Sequence, residues 1–325
     1  MPLLEVRDVS KRYPVRAGLL RQVRGWVKAV DRVSLSVEPG ETLGLVGESG
    51  CGKTTLGRMM LGLIARNEGE VSFDGRPLDA WLKQPSAFRQ RIQVVFQDPL
   101  DSLDPRYTIE QVIAEPLRAL RVCAPGEVSA RVREALRSVQ LPEELMGSYP
   151  HELSGGQRQR VGIARAMALR PKLVVCDEPV SSLDLSIQAQ VLQLLHKLQR
   201  ELGVAYLLIS HDLGVVQAMS RRIAVMYLGS IVEIAPAAEL MRDPWHPYTQ
   251  ALLAAVPRPD PERHPVQLLQ GDPPSPRQIP SGCRFRTRCP LAQGRCEQEE
   301  PQLVEAAPGR FVACHFAPAK IALPP

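Results

Sequence analysis

The chain has 325 residues, of which 44% are hydrophobic, so it is longer than one average domain and fits one large domain with an extension. Its formal net charge of +5 is mild and no run of like charges stands out, so we expect no nucleic-acid partner. No apolar run approaches the roughly 18 residues that a spanning helix needs, which predicts that the chain does not cross a membrane alone.

The first part of the chain is rich in β-type sequence. Its start, MPLLEVRDVSKRYPV, lacks the basic region, apolar run and cleavage site of a secretory signal, which favours the cytosol. The stretch VDRVSLSVEPGETLGLVG alternates apolar and polar residues and then becomes continuously apolar, which predicts an exposed strand followed by a buried one; VSFDG continues in this style. From Gln111 to Val139 the period is helical, with a loop at Pro125 and Gly126, which predicts a helical insert.

Three β-rich runs follow in the second half: KLVVCDEP, VAYLLISHD and RIAVMYLGSIVEIA, with a helix in IQAQVLQLLHKLQREL between the first two. This alternation predicts a parallel sheet with crossover helices, and therefore an α/β fold. Proline density rises beyond Ala235, and 14 of the 30 prolines lie after Val256. We expect the last 90 residues to form an extension with little regular structure.

A phosphate-binding motif occurs in GLVGESGCGKTTLGRM, where G-x-x-x-x-G-K-T runs from Gly47 to Thr54 between a buried strand and a helix start. Glycines at these positions let successive backbone amides point inward as an anion-binding nest. Lys53 adds positive charge for the β- and γ-phosphates, and Thr54 offers a hydroxyl to Mg²⁺. The motif predicts a nucleoside triphosphate site, since a plain glycine-rich turn has no need of the lysine and the hydroxyl.

Two acidic residues end the apolar strand in LVVCDE, where ligands of open α/β sheets collect. Asp177 is the candidate Mg²⁺ ligand, and Glu178 can polarise an attacking water. His211, at the end of the next predicted strand, could hold that water in line with the γ-phosphate. Taken singly, an acidic pair more often caps a helix and a histidine more often has no catalytic role, but their order after a phosphate loop favours catalysis.

The stretch LSGGQRQR, from Leu153 to Arg160, predicts a second helix N-terminus that faces phosphate. Ser154 and the bare amides of Gly155 and Gly156 precede the predicted helix. One chain has no second nucleotide to receive them. We therefore expect two subunits to face each other, each offering this helix to the nucleotide on the other.

These motifs, in this order, resemble those of the ATP-binding subunits of ABC transporters over residues 3 to about 235. GESGCGKTT resembles the Walker A loop, VVFQDP the Q-loop with Gln97, LSGGQ the signature, LVVCDE the Walker B strand, SSLD the D-loop and SHD the switch histidine. Tyr13 stands where the family places an aromatic that stacks on adenine; the alternative is a tyrosine at the end of an edge strand.

The resemblance implies an ATP site with Mg²⁺, in which Glu178, His211 and Gln97 act in catalysis and Thr54, Gln97 and Asp177 hold the metal. The other residues that it assigns to nucleotide binding are Gly47, Glu48, Ser49, Gly50, Cys51, Gly52, Lys53, Thr55, Ser154, Gly155, Gly156 and Gln157.

The fold that the resemblance implies is a P-loop NTPase core with a mainly parallel sheet, an antiparallel β subdomain, a helical signature subdomain and a proline-rich irregular extension. The expected boundaries are 1–235 for the ATP-binding cassette, 98–165 for its helical subdomain and 236–325 for the extension. Gln97, where the core meets this subdomain, is the expected relay to a permease, although it could be a plain polar loop residue.

The C-terminal sequences narrow the resemblance to the oligopeptide and dipeptide uptake branch. DPLDSLDPR after Gln97, HPYTQALLAAVP, GDPPSP and IPSGCRFRTRCP all resemble that branch, although relatives with this tail also serve nickel and glutathione. The implied partners are a second ATP-binding subunit, identical or related, two membrane-spanning permease subunits and, indirectly, an extracytoplasmic substrate-binding protein. The implied location is peripheral, at the cytoplasmic face of the membrane.

Two other functions are weighed against transport. A soluble ATPase of the same superfamily usually carries a long coiled-coil insertion or two cassettes, whereas this chain has one phosphate loop and no heptads. A metal- or redox-sensing module would use the tail and keep the cassette only for docking. Retention of Lys53, Glu178 and His211 argues against that.

Four of the seven cysteines lie in the tail, at Cys283, Cys289, Cys296 and Cys314, separated by five, six and seventeen residues. A reducing cytosol disfavours disulfides, and zinc usually takes cysteines two to four residues apart. Four thiolates can hold a [4Fe–4S] cluster, and related peptide-uptake subunits with this pattern are thought to carry one. Zinc and unligated thiols remain as alternatives.

Four arginines lie near these cysteines in sequence and are expected to offset the negative charge of such a cluster: Arg284, Arg286, Arg288 and Arg295. Because the phosphate loop lies far away in sequence, the cluster is expected to brace the tail or report redox state and to take no part in ATP cleavage. For Cys51, inside the loop, amides and Lys53 predict a depressed pKa; the alternative is a buried, inert thiol.

Overall fold

The computed structural model describes residues 1–17, 22–97, 103–255, 272 and 274–318. The first residues of the expected helical subdomain, 98–102, and part of the extension, 256–271, lie outside this set. The strands are β1 Leu4–Ala17, β2 Gln22–Val37, β3 Thr42–Val46, β4 Glu68–Phe73, β5 Arg76–Pro77, β6 Ile92–Val95, β7 Leu173–Asp177, β8 Ala205–Ile209, β9 Arg222–Tyr227, β10 Ser230–Pro236, β11 Val304–Ala307 and β12 Arg310–Val312.

The α-helices among the described residues are α1 Lys53–Met60, α2 Leu78–Leu82, α3 Pro85–Arg91, α4 Ile109–Ala119, α5 Val128–Ser138, α6 Gly155–Met167, α7 Leu185–Leu202, α8 Leu213–Met219, α9 Ala237–Arg242, α10 Pro247–Ala254 and α11 Gly294–Gln298. Short 3₁₀ turns lie at Pro125–Glu127, Glu143–Gly147 and Pro150–Glu152. None of the helices in the described ranges combines the length and apolar character that crossing a bilayer requires.

The chain forms two compact units. The first comprises Met1–Glu5, Ser36–Thr42 and Ser72–Ser210. The second comprises Val6–Leu35, Leu43–Val71 and His211–Pro325. The extension therefore groups with the segment that carries the phosphate loop.

In the first unit, β6, β7 and β8 are parallel neighbours, with β7 in the middle. The apolar residues of β7 are fully buried, as a continuous apolar run in a central parallel strand requires. The predicted helical insert is present as α4 and α5. Thr108 caps α4 by accepting from the amide of Gln111, whose side chain accepts in return from the Thr108 amide.

In the second unit, β9 lies between β3, to which it is parallel, and β10, to which it is antiparallel. The sequence treats β9 and β10 as one β-rich run, but Leu228 and Gly229 adopt φ of 42° and 83° and turn the chain into a hairpin. β1 lies between β2 and β4.

The last described part of the extension contains two short strands that the sequence does not predict. There, β12 pairs with β10 and β11 pairs with β12, both antiparallel. A turn at Gly309, with φ of 69°, reverses the chain between β11 and β12. The tail thus adds two strands to the sheet beside β10.

Candidate functional site

The phosphate loop lies in the second unit, between the buried strand β3 and helix α1. The Lys53 ammonium is buried and donates to the carbonyl oxygens of Gly47 and Glu48, at 2.8 and 3.0 Å. Ser49 and Gly50 are exposed at the turn of the loop, and Thr54 and Thr55 are half-buried at the start of α1. The loop thus curls around its own lysine.

Steric contacts explain two glycines of the loop. A Cβ on Gly52, whose φ is 112°, would lie 2.1 Å from the carbonyl oxygen of Ala29. A Cβ on Gly47 would lie 2.2 Å from the carbonyl oxygen of Met226. Because both obstacles are backbone atoms, only glycine fits at these positions without moving a neighbouring strand.

The prediction of a depressed pKa for Cys51 is wrong. The residue is only 5% exposed, and burial raises the pKa of its thiol, although Lys53 acts in the opposite direction. The sequence predicts that the loop amides and Lys53 stabilise the Cys51 thiolate. The loss of hydration on burial raises the pKa by more than these groups lower it, so the structure favours the alternative of a buried thiol.

The carboxylates Asp177 and Glu178 lie at the end of β7 in the first unit. Cys176 is paired in register with Val95 of β6. Gln97, two residues past Val95, therefore lies beyond the C-terminal end of β6, at the same end of this parallel sheet as Asp177. Glu178 adopts a φ of 51°, and its amide donates to the carbonyl of Ile209 at 2.9 Å. The sequence gives no signal of this left-handed backbone, which Glu178 shares with other described non-glycine residues, among them Leu228 at the turn between β9 and β10.

The signature helix α6 also lies in the first unit. Ser154 and Gln157 cap its N-terminus reciprocally, through the Gln157 amide to Ser154 Oγ at 3.3 Å and the Ser154 amide to Gln157 Oε1 at 2.9 Å. Ser154 is exposed and Gly155 half-buried. The buried Gln159 donates to the carbonyl of Pro179 at 2.6 Å, which ties this helix to the turn after the carboxylates.

Two further predicted residues lie in the second unit. His211 is exposed two residues after the end of β8. Tyr13 lies in β1 with its side chain 37% exposed, and the Lys11 ammonium is 5.2 Å from its ring centroid. An exposed ring of this kind is open to stacking with a flat ligand.

The four tail cysteines converge. Cys283, Cys289, Cys296 and Cys314 line one cavity of about 10 Å³. Burial and the neighbouring thiols raise the pKa of Cys289 to about 11, although a hydrogen bond with the backbone of Leu291 acts to lower it. The four side chains thus share one cavity, but within the described parts of the chain no group of histidine, cysteine or acidic side chains is arranged to hold a metal ion.

Each of the four tail arginines has a carboxylate partner of its own, which the expected role in offsetting cluster charge did not anticipate. Arg284 lies 2.5 Å from Asp31 and Arg288 3.0 Å from Glu48, both within the second unit. Arg286 pairs with Glu297 and Arg295 with Glu299.

The tail and the phosphate loop are far apart in sequence but are in contact in the structure. Arg288 contacts Glu48 inside the loop, and the Glu48 amide donates to the hydroxyl of Tyr248 at 3.0 Å. Sequence reasoning missed both partners. Their only signal was the occurrence of HPYTQ and CRFRTRC beyond the cassette.

Comparisons with known proteins agree with this architecture. A sequence model described as "ABC transporter" matches residues 30–181, and one described as "Oligopeptide/dipeptide transporter, C-terminal region" matches residues 232–296. The oligopeptide transport ATP-binding protein AppF of Bacillus subtilis (strain 168) is 49% identical over 320 residues, which cover 97% of either chain. The chain belongs to the ATP-binding proteins of ABC transporters. It is accordingly an ATPase, with the fold that the sequence predicts.

Other relatives support the assignment. A putative peptide import ATP-binding protein of Brucella ovis is 49% identical over 315 residues, 96% of this chain and 97% of that protein. Among solved structures, cbiO1 of Clostridium perfringens, part of the ABC transporter complex cbiONQ, has a TM-score of 0.64 at 27% identity and covers 74% of this chain and 91% of its own. A dimer of the ATP-binding cassette MJ0796, bound to ADP and Pi after hydrolysis, has a TM-score of 0.63 at 29% identity and covers 72% and 98%.

Proposed function

We propose that this ATPase powers the uptake of dipeptides or oligopeptides through a separate pair of permease subunits. The observation that carries the proposal is the extent of the similarity. A protein named for oligopeptide transport is 49% identical over 320 residues, which cover 97% of this chain and so reach into the extension. Nickel and glutathione, which relatives with such a tail also serve, are the alternative cargoes, and an ABC ATPase outside transport is a distant third.

In the proposed ATP site, the loop amides from Gly47 to Gly52, Lys53 and Thr55 hold the phosphates, and Tyr13 stacks on adenine. Mg²⁺ is assigned to Thr54, Gln97 and Asp177, whose hydroxyl, amide and carboxylate oxygens suit a hard cation. When bound, the metal offsets charge that develops on the phosphates.

In the proposed reaction, Glu178 polarises the attacking water and His211 holds it in line with the γ-phosphate. The left-handed backbone of Glu178 is consistent with such a role, because strained residues persist where surrounding structure fixes them. The N-terminus of α6, from Ser154 to Gln157, would contact the nucleotide held by a second subunit, whose binding therefore closes the pair. Hydrolysis removes that bridge and reopens it.

The proposed assembly contains a second ATP-binding subunit, identical or related, and two permease subunits fed by an extracytoplasmic binding protein. The capped, accessible N-terminus of α6 supports the pairing of subunits. The region 98–165 would contact the permease, with Gln97 as the relay, and the chain would lie at the cytoplasmic face of the membrane. The cassette boundary near residue 235 is part of the same proposal.

Replacement of Glu178 by Gln tests the catalytic assignment. Binding of Mg-ATP should persist, whereas turnover should fall by about 10² or more, since the side chain keeps its size but loses the carboxylate. Glu201→Gln, on the exposed face of α7, is the matched control and should hydrolyse ATP at the parent rate. Parent activity in Glu178→Gln would remove the role assigned to this residue.

Transport in vesicles tests the cargo. The ATPase is reconstituted with its co-purified permease subunits and binding protein, and uptake of a labelled dipeptide, Ni²⁺ and glutathione is compared with and without ATP. ATP-dependent uptake of the dipeptide supports the proposal. Uptake of Ni²⁺ or glutathione alone would replace it with that cargo, and ATP hydrolysis with no permease partner would favour the soluble class.

We also infer that the tail cysteines hold a [4Fe–4S] cluster, with zinc as the alternative. Support comes from the convergence of four thiols on one cavity and from their spacing in sequence. The cluster would cross-link loops of the extension. Anaerobic purification should give about four irons and four sulfides per chain, which Cys289→Ser should abolish and Cys123→Ser should leave unchanged. A colourless preparation with stoichiometric zinc would overturn the inference.

A further inference from the structure

Glu48 is a junction between the phosphate loop and the C-terminal extension. Its carboxylate accepts two N–H groups of Arg288, at 3.0 and 3.1 Å. Its backbone N–H donates to the hydroxyl of Tyr248 at 3.0 Å, and its carbonyl accepts from Lys53 Nζ at 3.0 Å. The residue that holds the phosphate-binding lysine is thus itself held by the tail.

Both tail residues are fixed by burial and packing. Only 6% of the Arg288 side chain is exposed, and Tyr248 is completely buried. The Tyr248 ring lies 4.6 Å from that of Tyr227 and 5.5 Å from that of Phe285, between ring centroids. A bidentate guanidinium–carboxylate pair and a packed tyrosine restrict Glu48 in two different directions.

Arg288 belongs to a short segment that is anchored along its length. Arg284, four residues earlier, donates to Asp31 at 2.5 Å and to the carbonyl of Leu228 at 2.7 Å. Phe285 is 1% exposed. The segment therefore provides a rigid base from which Arg288 reaches the loop.

We propose that Arg288 and Tyr248 are positioning residues for the phosphate loop, and that the extension sets the affinity for ATP through them. The proposal rests on the loop being the ATP site. Neither residue is assigned to the nucleotide: they act through Glu48, whose position orders the loop amides and Lys53 before ATP arrives. A loop ordered in advance spends less of its binding free energy on ordering, so loss of either contact weakens binding.

Titration calorimetry with ATP on the full chain tests the proposal. Tyr248→Phe removes only the hydroxyl and should raise Kd about five-fold, the effect of one hydrogen bond. Arg288→Met should raise it about ten-fold or more, since a charged pair is stronger, and Arg288→Lys should recover part of the loss. Arg286→Met is the matched control on the same segment; its side chain bonds to Ser281, and its Kd should equal that of the parent.

Steady-state hydrolysis separates positioning from a general structural defect. In Tyr248→Phe and Arg288→Met the KM for ATP should rise by the same factor as Kd, with kcat at saturating ATP within about two-fold of the parent. Because both contacts act through one residue, Arg288→Met should add little in a Glu48→Ala background.

Three outcomes would overturn the proposal: parent Kd values in both Tyr248→Phe and Arg288→Met, a loss of kcat with unchanged KM, or full additivity of Glu48→Ala and Arg288→Met. Tyr248→Phe and Arg288→Lys keep the test decisive if Arg288→Met does not fold. Lys53→Ala tests the ATP site separately. If it binds ATP normally, the site itself is wrong; if it alone loses binding, the site stands and the positioning role falls.

Discussion

Asp31→Asn probes a deeply buried ion pair that the extension forms through Arg284. Asp31, at 4% exposure, receives Arg284 Nη2 at 2.5 Å, while 7% of the Arg284 side chain is exposed. The substitution keeps the shape of the side chain and removes its charge. Arg284 then retains its bonds to the carbonyl of Leu228, at 2.7 Å, and to Glu300, at 3.0 Å.

The free-energy cost of the substitution depends on the partners that Arg284 keeps. Removing one member of a buried pair costs about 3–5 kcal/mol when the other is left alone. Because Arg284 keeps one carbonyl and one carboxylate, we expect about 2 kcal/mol, or about a 30-fold increase in the opening equilibrium of the segment. Lys28, which lies 3.2 Å from Asp31, is 45% exposed and contributes little to this loss.

Hydrogen exchange measures the effect locally. The amide of Cys283 donates to the carbonyl of Cys296 at 2.7 Å, so its exchange rate reports opening of the segment. Glu68→Gln is the matched control, because it removes an exposed pair with Arg12 whose side chains are 53% and 38% accessible and which is worth about 0–1 kcal/mol. A change of less than about three-fold at Cys283 in Asp31→Asn would refute the energetic reasoning.

The same pair predicts a pH dependence. Burial acts to raise the pKa of Asp31, but Arg284 and Lys28 outweigh it and hold the pKa below 3.8. A carboxyl whose folded pKa is depressed contributes stability above its unfolded pKa and loses it as the pH falls through the folded value. The difference in opening between parent and Asp31→Asn should be constant above about pH 5 and shrink below about pH 3.8.

Three further predictions concern the two units. Cys51 should alkylate more slowly than the half-buried Cys123, with or without Mg-ATP, because burial raises its pKa; mass-mapped labelling at equal rates would contradict this. Gly52→Ala should weaken ATP binding at least about ten-fold by calorimetry, whereas Gly126→Ala, with open space around its Cβ, should not; equal Kd values would exclude the steric explanation. Gln159→Leu should lower the free energy of unfolding in urea by about 1–3 kcal/mol, since a buried carbonyl loses its donor, and an unchanged midpoint would contradict that.

Sequence reasoning succeeds where the determinants are local. The strand, glycines and helix around Lys53 follow one another directly from Thr42 to Met60, and the cap of α6 by Ser154 and Gln157 lies within four residues. Each can be predicted because backbone sterics and neighbouring hydrogen bonds decide it. The parallel strands β7 and β8 follow for the same reason, from apolar runs joined by one amphipathic helix.

Sequence reasoning fails where a property depends on burial or on contacts between residues that are far apart in sequence. Cys51 lies in a loop whose charges favour a thiolate, yet exclusion of water controls its pKa, and no local pattern reports that. Glu48 and Arg288 are 240 residues apart, so no period or motif links them. The strand β12 was hidden in a proline-rich tail because a three-residue strand has almost no signal of its own and forms by pairing with β10.

The anchors of the extension share one property that bears on its role. Asp31, Glu48 and Glu233 are acidic residues of the cassette whose partners, Arg284, Arg288 and Arg310, all come from the tail. Each carboxylate is at least half-buried, so a cassette without its tail would lose an arginine partner at all three, and only Asp31 would keep a cation, Lys28, nearby. One of the three is inside the phosphate loop itself. The extension is therefore better understood as part of the second unit, which it completes, than as an appendage to it, and the similarity to a peptide-transport relative spans 97% of the chain.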